Sequence, residues 1–275
     1  MLYAASARRR SVCRGFVLNL LALSACAYTA TAPRPVRAPV APDSVDGWAV
    51  TPKRSTWQGR ELMCLVVSDD PSVDNLHSVA HPDHPRYRAF EELEDPHGAL
   101  GVWPSAYAAA AELGARAPAP TRVLELGAGA GLPSLFASVV LGAAVRATDV
   151  EAVPLAFLAA ARASHAPPPT DFSTAYLDVL EADADDLAWA DVVVAADLLY
   201  NADVAAALGE RLGRYVAPGR DVVVCDPGRR GRESFLDAFR RFRDAEFVDV
   251  DVPGGVADVF DGSPQPTVGV LRYDT

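Results

Sequence analysis

The alternation of apolar and polar positions is regular from Pro104 to the end of the chain. Short, β-branched apolar runs predict seven strands, at 122–126, 144–148, 173–177, 192–195, 222–225, 246–250 and 267–272. Helical periodicity predicts helices at 105–113, 132–141, 153–163, 203–215 and 233–243. Because strands and helices alternate, we predict an α/β fold with a doubly wound, Rossmann-like, mostly parallel sheet that has helices on both faces. The last two strands have no helix between them, so the final strand is expected to run antiparallel.

The segment 43–100 lacks this regularity. One strand-like run, at 62–67, stands among polar and proline-rich stretches, and we interpret the rest as an irregular N-terminal extension of a domain at 101–275. Four of the five histidines fall in this segment, at positions 77, 81, 84 and 97. Pro82 and Pro85 interrupt their spacing, and no cysteine lies among them, so a solvated loop is favoured over a metal site.

Composition and charge limit the function classes. Half of the 275 residues are hydrophobic, which is enough for a sizeable core, and the four cysteines form no CxxC pair, so neither a disulfide scaffold nor a structural metal is expected. Residues 1–42 carry six arginines and no acid, whereas the remainder carries 19 basic and 36 acidic residues. This acidic remainder repels a phosphate backbone and attracts a basic polypeptide. We therefore expect no nucleic-acid partner.

Residues 1–42 are typical of a targeting peptide. Arg8, Arg9 and Arg10 precede an apolar run, at 16–23, that is shorter than the ~20 residues needed to span a bilayer. An A-x-A cleavage site at 25–27 is followed by a stretch rich in Ala, Pro and Arg, as in a transit peptide. This order resembles the two-part plastid address of algae with complex plastids; a mitochondrial presequence and a bacterial lipobox are the alternatives. We expect an organellar protein, in a plastid or else a mitochondrion, without membrane association in its mature form.

The stretch 123–132, Val-Leu-Glu-Leu-Gly-Ala-Gly-Ala-Gly-Leu, carries the main chemical signal. A strand runs into three alternate glycines and then into a helix, which lets the backbone approach a ligand closely. A dinucleotide fingerprint requires Gly or Ala where Leu132 stands, and a Walker lysine is absent. Both the dehydrogenase and the P-loop interpretations are therefore disfavoured. The carboxylate of Glu125 before the loop suits a cationic ligand better than a pyrophosphate.

Acidic residues follow the next two predicted strands. Asp149 ends the second strand, where a carboxylate can accept both hydrogen bonds of a ribose diol. Asp178 and Val179 follow the third strand and can meet the amino group and the face of an adenine. In chain order, the glycine loop and these acids resemble the S-adenosylmethionine site of seven-stranded methyltransferases. The resemblance implies this cofactor and, as its contacts, Trp103, Glu125, Gly127, Ala128, Gly129, Gly131, Asp149, Asp178, Val179 and Ala196.

The turn after the fourth strand separates the subclasses. Ala196-Asp197-Leu198-Leu199-Tyr200 stands where enzymes that methylate an amide or an adenine amine usually carry Asn-Pro-Pro-Tyr. With Trp103-Pro104-Ser105 ahead of the first strand, this D-x-x-Y turn resembles the seven-stranded protein lysine methyltransferases. Asp226-Pro227-Gly228-Arg229 and the segment 201–208 look most like the branch that methylates the electron transfer flavoprotein β subunit. Two departures leave the substrate open: Val179 replaces a frequent aromatic, and the glycine loop is similar to that of chaperone-directed relatives.

The resemblance also implies the roles of the remaining residues. Methyl transfer is an in-line displacement at a sulfonium carbon, so the enzyme acts chiefly by orienting the nucleophile, an effect worth ~7–11 kcal/mol. The lysine amine must be neutral, and an apolar slot lowers its pKa from ~10.4. Asp197 and Tyr200 are the predicted catalytic residues, the first orienting the amine and the second walling its channel; Asp226 and Arg229 are candidate substrate contacts.

The sequence thus predicts a monomeric protein lysine methyltransferase whose partner is a protein that carries the target lysine. A small-molecule N-methyltransferase of the same fold and a non-catalytic binding module are the alternatives from other classes. A dehydrogenase remains a distant rival that nicotinamide cofactor binding would reveal.

Overall fold

The computed structural model describes residues 38–68, 99, 101–166, 171–182, 184–254, 256, 264–265 and 267–274. Most of the predicted targeting peptide lies outside these residues, so its role stays a prediction. The histidines at positions 77, 81, 84 and 97 also lie outside them, and the structure does not test the interpretation of that segment as a solvated loop.

The described residues form the following elements. The strands are β1 (Ser44–Val45), β2 (Trp48–Trp57), β3 (Arg60–Val67), β4 (Arg122–Leu126), β5 (Ala144–Asp149), β6 (Phe172–Tyr176), β7 (Val192–Ala196), β8 (Asp221–Asp226), β9 (Ala245–Asp251) and β10 (Thr267–Tyr273). The helices are α1 (Pro104–Gly114), α2 (Leu132–Leu135), α3 (Ala152–Ala163), α4 (Ala184–Ala188), α5 (Ala202–Tyr215) and α6 (Arg232–Phe239). None of these helices is long and apolar enough to cross a membrane.

The seven strands β4 to β10 form one sheet in the order β6-β5-β4-β7-β8-β10-β9. Strands β4 to β8 pair in parallel, and β10 lies between β8 and β9, antiparallel to both. The predicted doubly wound sheet with an antiparallel last strand is therefore confirmed. The chain order reverses direction at β4, so the loops after β4 and β7 diverge and leave a crevice at the carboxyl ends of the strands.

Each face of the sheet is covered by its own set of helices. Successive strand side chains point to opposite faces, so Val123 and Val194 pack with α1, α2 and α3, whereas Leu124 and Val193 pack with α4, α5 and α6. Asn201 begins α5 because its Oδ1 accepts hydrogen bonds from the backbone N–H groups of Asp203 and Val204. The two cores hold the strand ends in fixed positions, and the loops that follow the strands form the site.

Three helical segments differ from the prediction, one of them α6, which ends at Phe239 and not at residue 243. The expected helix at 132–141 is α-helical only in α2 and continues as a π-helical stretch, Phe136–Leu141, that ends at the left-handed residue Gly142. The short helix α4 was not predicted, because five residues are too few to show a helical period.

The N-terminal segment contains a β-hairpin. Strands β2 and β3 pair antiparallel over their length, and β1 adds to β2 through two residues. The apolar side chains of β3 are almost completely buried in the same core as α1, α2 and α3. The prediction of an irregular segment is therefore wrong for residues 44–61, whereas the strand-like run expected at 62–67 is confirmed as the buried part of β3.

A buried histidine joins this hairpin to the main domain. His165, just after α3, donates from Nδ1 to the carbonyl oxygen of Ala161 at 2.7 Å, and its Nε2 accepts from the backbone N–H of Met63 at 3.0 Å. Only the neutral imidazole can make both bonds, and burial lowers the pKa of His165, which favours that neutral form. The hairpin and the helix therefore share one polar contact within an apolar interface.

We expect His165→Ala to destabilise the protein by ~1–3 kcal/mol, because the N–H of Met63 would be left buried without its acceptor. Urea denaturation monitored by circular dichroism measures the loss. The neighbouring variant Ser164→Ala removes only a half-buried hydroxyl that donates to Ala160, and should change stability by less than ~0.5 kcal/mol. Equal losses in the two variants would contradict the role of the histidine.

Candidate active site

The glycine loop, residues 127–131, connects β4 to α2 with an unusual backbone. Gly127, Gly129 and Gly131 have φ values of +60°, +50° and +71°, the left-handed region that favours glycine. A Cβ atom added to Gly127 would lie 2.3 Å from Leu198, and one added to Gly131 would lie 2.4 Å from Leu158. Close packing therefore requires glycine at both positions, and the loop backbone lines the cavity.

Asp149 ends β5 beside this loop. Its Oδ2 accepts a hydrogen bond from the backbone N–H of Gly129 at 2.9 Å, and its Oδ1 accepts one from Glu151 at 3.0 Å. Burial raises the pKa of Asp149 to about 6, so the carboxylate is mostly ionised at neutral pH. Each oxygen retains acceptor capacity for a ligand hydroxyl group.

Glu125 has a different environment from the one expected. Its Oε2 accepts from the backbone N–H of Ser134, in the first turn of α2, at 2.9 Å. The residue is almost completely buried, and burial raises its pKa to about 8. Glu125 lines the cavity as predicted, and its role toward a cationic ligand stays a prediction. Its hydrogen bond fixes the glycine loop against the start of α2.

The loop after β6 lines the opposite side of the cavity. Asp178 accepts a hydrogen bond from the backbone N–H of Leu180 at 2.8 Å through Oδ1, which shapes a tight turn. Val179 lies in this turn and lines the cavity together with Leu177 and Leu180. The loop therefore presents one carboxylate and several apolar side chains to a ligand.

Asp197 is the first residue of the turn after β7, and its backbone conformation is strained. Its φ of +63° is in the left-handed region, which is uncommon for a residue other than glycine. Its backbone N–H donates to the carbonyl oxygen of Cys225 at 2.9 Å, which ties the turn to β8. Three residues on, Tyr200 lines the same cavity and is 40% exposed. The turn thus places a carboxylate and an aromatic ring at the cavity, as the D-x-x-Y interpretation requires.

Arg229 binds Asp197 across the cavity wall. Its Nε donates to Oδ1 of Asp197 at 2.6 Å, in a pair whose side chains are 32% and 6% exposed. The guanidinium carbon also lies 5.5 Å from the centre of the Trp103 ring, within the range of a cation–π contact. Trp103, Arg229 and Asp197 therefore form a continuous row of contacts that joins the loops before α1 and after β7 and β8.

Asp226 does not contact the cavity. Its side chain is fully buried, its Oδ2 accepts from Nε of Arg232 at 2.7 Å, and its carboxylate also accepts from the backbone N–H groups of Gly228 and Arg229. The prediction of Asp226 as a substrate contact is therefore corrected: it is a structural residue that holds the turn on which Arg229 stands.

A cavity of about 320 Å³ gathers these loops at the carboxyl ends of the strands. It is lined by every predicted site residue except Asp226, including Ala128 and Ala196. Lining residues that the sequence did not single out are Gly101, Val102, Ala106, Ala130, Leu132, Val150, Glu151, Leu177, Leu180, Leu198 and Val204. Most of them are sequence neighbours of predicted residues, so the positions of those residues were the signal that could have identified them. Within the described part of the chain, no cluster of His, Cys, Asp or Glu has the makeup of a metal site.

A family model for lysine methyltransferases matches residues 83–242, more than half of the chain. The chain belongs to the lysine methyltransferase family. The matched region contains the glycine loop and the loops that carry Asp149, Asp178, Asp197 and Arg229. It confirms the family but not the flavoprotein-directed branch within it. Among curated proteins, no sequence matches this methyltransferase.

Several solved methyltransferases align with part of this chain. A TehB-like S-adenosylmethionine-dependent methyltransferase from Corynebacterium glutamicum is 14% identical, with a TM-score of 0.42 over 69% of this chain and 94% of that chain. The CcbJ methyltransferase from Streptomyces caelestis is 20% identical, with a TM-score of 0.45 over 66% and 94%. Magnesium protoporphyrin IX methyltransferase from Synechocystis, solved with bound S-adenosylmethionine, is 13% identical, with a TM-score of 0.46 over 62% and 78%. Similarity this distant says nothing about the substrate.

The methyl donor of this methyltransferase is S-adenosylmethionine. The residues of the cavity fit such a group: the loop backbone at Gly127 and Gly129 lines it without side chains, and Asp149 presents a carboxylate at the position expected for the ribose. Asp178 and Val179 offer a hydrogen-bond acceptor and an apolar surface on the side expected for the adenine.

We expect the stability of Glu125→Gln, relative to the wild type, to increase between pH 5 and pH 8. The pKa of Glu125 rises from 4.5 to about 8 on folding, so its stabilising contribution is complete below pH 4.5 and is lost as the pH rises to about 8. Glutamine keeps the shape and an acceptor for Ser134 but does not titrate. Scanning calorimetry at both pH values measures the difference.

The matched control is Glu233→Gln on the exposed side of α6. This variant removes the same charge from the surface, so its melting temperature relative to the wild type should be the same at both pH values. A pH-independent difference for Glu125→Gln would contradict the assigned protonation.

Proposed function

We propose that this methyltransferase transfers a methyl group from S-adenosylmethionine to a lysine side-chain amine of another protein. One observation carries the proposal: the nearly buried carboxylate of Asp197 is held in a strained turn that faces the same cavity as the glycine loop and Asp149. A carboxylate in this position is an acceptor for the N–H groups of an incoming amine. The lysine methyltransferase family supports the same acceptor class.

The two halves of the cavity have different proposed roles, one in binding the cofactor and the other in binding the acceptor amine. The glycine loop, Asp149, Asp178 and Val179 would hold the cofactor, which supplies an electrophilic methyl group on a sulfonium. Asp197 and Tyr200 would hold the acceptor amine in line with that methyl group, the first by hydrogen bonding and the second by closing one side of its path. Orientation of this kind is the main source of rate in a displacement that needs no covalent enzyme intermediate. A proton leaves the amine for water before transfer, because only the neutral amine has a lone pair to donate.

The rim of the cavity favours a protein over a small molecule. Val150, Leu180 and Tyr200 line the cavity and remain 49%, 45% and 40% exposed. Large apolar side chains left exposed beside a site offer surface that a partner protein can cover. The acidic body outside residues 1–42 attracts a basic segment, such as one that carries the target lysine.

We expect Asp149→Ala to weaken the binding of S-adenosylhomocysteine roughly 100-fold, because two charge-assisted hydrogen bonds to the ribose hydroxyl groups would be lost. Isothermal titration calorimetry measures this affinity without any acceptor substrate. The control Asp171→Asn removes a charge at the exposed start of β6, away from the cavity, and should bind as the wild type does. Unchanged affinity in Asp149→Ala would contradict the ribose assignment.

The same residue predicts a pH dependence of cofactor binding. Burial raises the pKa of Asp149 to about 6, so lowering the pH below 6 protonates the carboxylate and removes an acceptor. Affinity for S-adenosylhomocysteine should therefore fall as the pH decreases from 7 to 5 in the wild type. It should stay constant over that range in Asp149→Asn, which binds weakly at every pH.

The transfer itself is tested with the full-length chain, tritiated S-adenosylmethionine and a lysate enriched in plastids or mitochondria. We expect a discrete labelled protein band that disappears in Asp197→Asn, while calorimetry shows cofactor binding within about threefold of the wild type, because no bond to the ribose is lost. The matched control Asp237→Asn lies on the exposed side of α6 and should label the same band.

Other outcomes of this experiment separate the alternatives. Label found only in the acid-soluble fraction would overturn the protein substrate and indicate a small-molecule N-methyltransferase. Loss of both binding and labelling in Asp197→Asn would show that the residue maintains the fold. Cofactor binding with no transfer to any fraction would indicate a non-catalytic binding module.

A further inference from the structure

Most of the charged residues that line the cavity are acidic. Among the described lining residues, the acids are Glu125, Asp149, Glu151, Asp178 and Asp197, and the one basic residue is Arg229. The Nε of Arg229 donates to Oδ1 of Asp197 at 2.6 Å. The cation therefore acts on the carboxylate that faces the acceptor amine.

A backbone hydrogen bond and a ring contact support Arg229 in that position. Its backbone N–H donates to the buried carboxylate of Asp226, at 3.1 Å from Oδ2, and its guanidinium lies against the ring of Trp103. Asp226 is in turn paired with Arg232 at 2.7 Å, so the charge behind the turn is already balanced. The turn after β8 thus places Arg229 beside Asp197.

This pair has a chemical consequence for an amine acceptor. An isolated carboxylate next to a bound lysine stabilises the ammonium form, which has no lone pair and cannot attack a methyl group. A guanidinium stays charged at every accessible pH, and placed on the same carboxylate it cancels most of that attraction. The carboxylate can then still accept a hydrogen bond from a neutral amine without favouring its protonation.

We propose that Arg229 is a positioning residue that acts through Asp197, neutralising the acceptor site so that the amine binds there in its uncharged form. This inference rests on the proposed function, because it takes the acceptor to be an amine. The other titratable groups that line the cavity do not supply this cation, because Asp149, Glu151 and Asp178 are acids on the cofactor side and Tyr200 is a phenol. Glu125 is mainly uncharged at neutral pH and is bonded to α2.

The test uses two cofactor analogues and needs no acceptor protein. Sinefungin carries a primary amine in place of the methylsulfonium group, and S-adenosylhomocysteine carries neither. Calorimetry in buffers of different ionisation enthalpy counts the protons released when each analogue binds at pH 7.5. For the wild type, we expect sinefungin to release more protons than S-adenosylhomocysteine does, because its ammonium must lose a proton to enter a neutral site.

The variants separate charge from structure. Arg229→Gln should abolish the extra proton release. It should also tighten the binding of sinefungin relative to S-adenosylhomocysteine by at least about tenfold, because the ammonium then meets a carboxylate from which the guanidinium has been removed. Arg229→Lys should keep the wild-type release. The double variant Asp197→Asn with Arg229→Gln makes the site neutral again and should restore the release, which a purely structural role of Arg229 would not do.

A matched control is Arg214→Gln, which removes the same charge from the exposed side of α5 and should behave as the wild type does. Equal proton release for the two analogues in the wild type, or unchanged release in Arg229→Gln, would overturn the inference while leaving the cofactor site intact. Failure of the wild type to bind S-adenosylhomocysteine would instead reject the proposed function and this inference together.

Discussion

Carboxylates buried at the carboxyl ends of the parallel strands impose the main constraint on this structure. A buried carboxylate is costly unless hydrogen-bond donors surround it, and each of these finds donors in a neighbouring loop. Glu125 bonds the first turn of α2, Asp149 bonds the glycine loop, and Asp226 bonds its own turn and Arg232. Asp197 is held by Arg229. These bonds shape the loops that line the cavity, so the requirement to satisfy the acids also positions the site.

The charges of the site follow from the same constraint. Burial raises the pKa of Glu125 to about 8 and that of Asp149 to about 6. These two acids of the same cavity therefore differ in charge at neutral pH. The first then serves as a neutral structural group and the second as an ionised acceptor. The proposed site thus offers the carboxylate of Asp149 to the cofactor and that of Asp197 to the acceptor amine. Arg229 is paired with the second of these carboxylates.

Local sequence signals were reliable where a single element carried them. The strands β4, β5, β7 and β8 were predicted within one residue at each end, because apolar β-branched runs between turn residues have few other interpretations. Strand β2 was missed: it contains Pro52 and several polar residues, which argue against a strand in the interior of a sheet. Pro52 is tolerated because β1 pairs only with the first two residues of β2, so one edge is open at the proline.

The sequence by itself determined the fold class, the family and the set of loops that form the site, because these depend on residues close together in the chain. The glycine loop, Asp149 and the D-x-x-Y turn each follow a recognisable strand, and parallel strands bring their carboxyl ends to one edge. Only the tertiary structure decided what each acid does. Asp226 and Asp197 both follow buried strands and look alike in sequence, but one is enclosed by Arg232 and the other faces the cavity. Asp226 is enclosed by residues at most six positions further along the chain, whereas Asp197 is paired with Arg229, which is 32 positions away. That second contact depends on how the loops after β7 and β8 lie against each other, which no local pattern records.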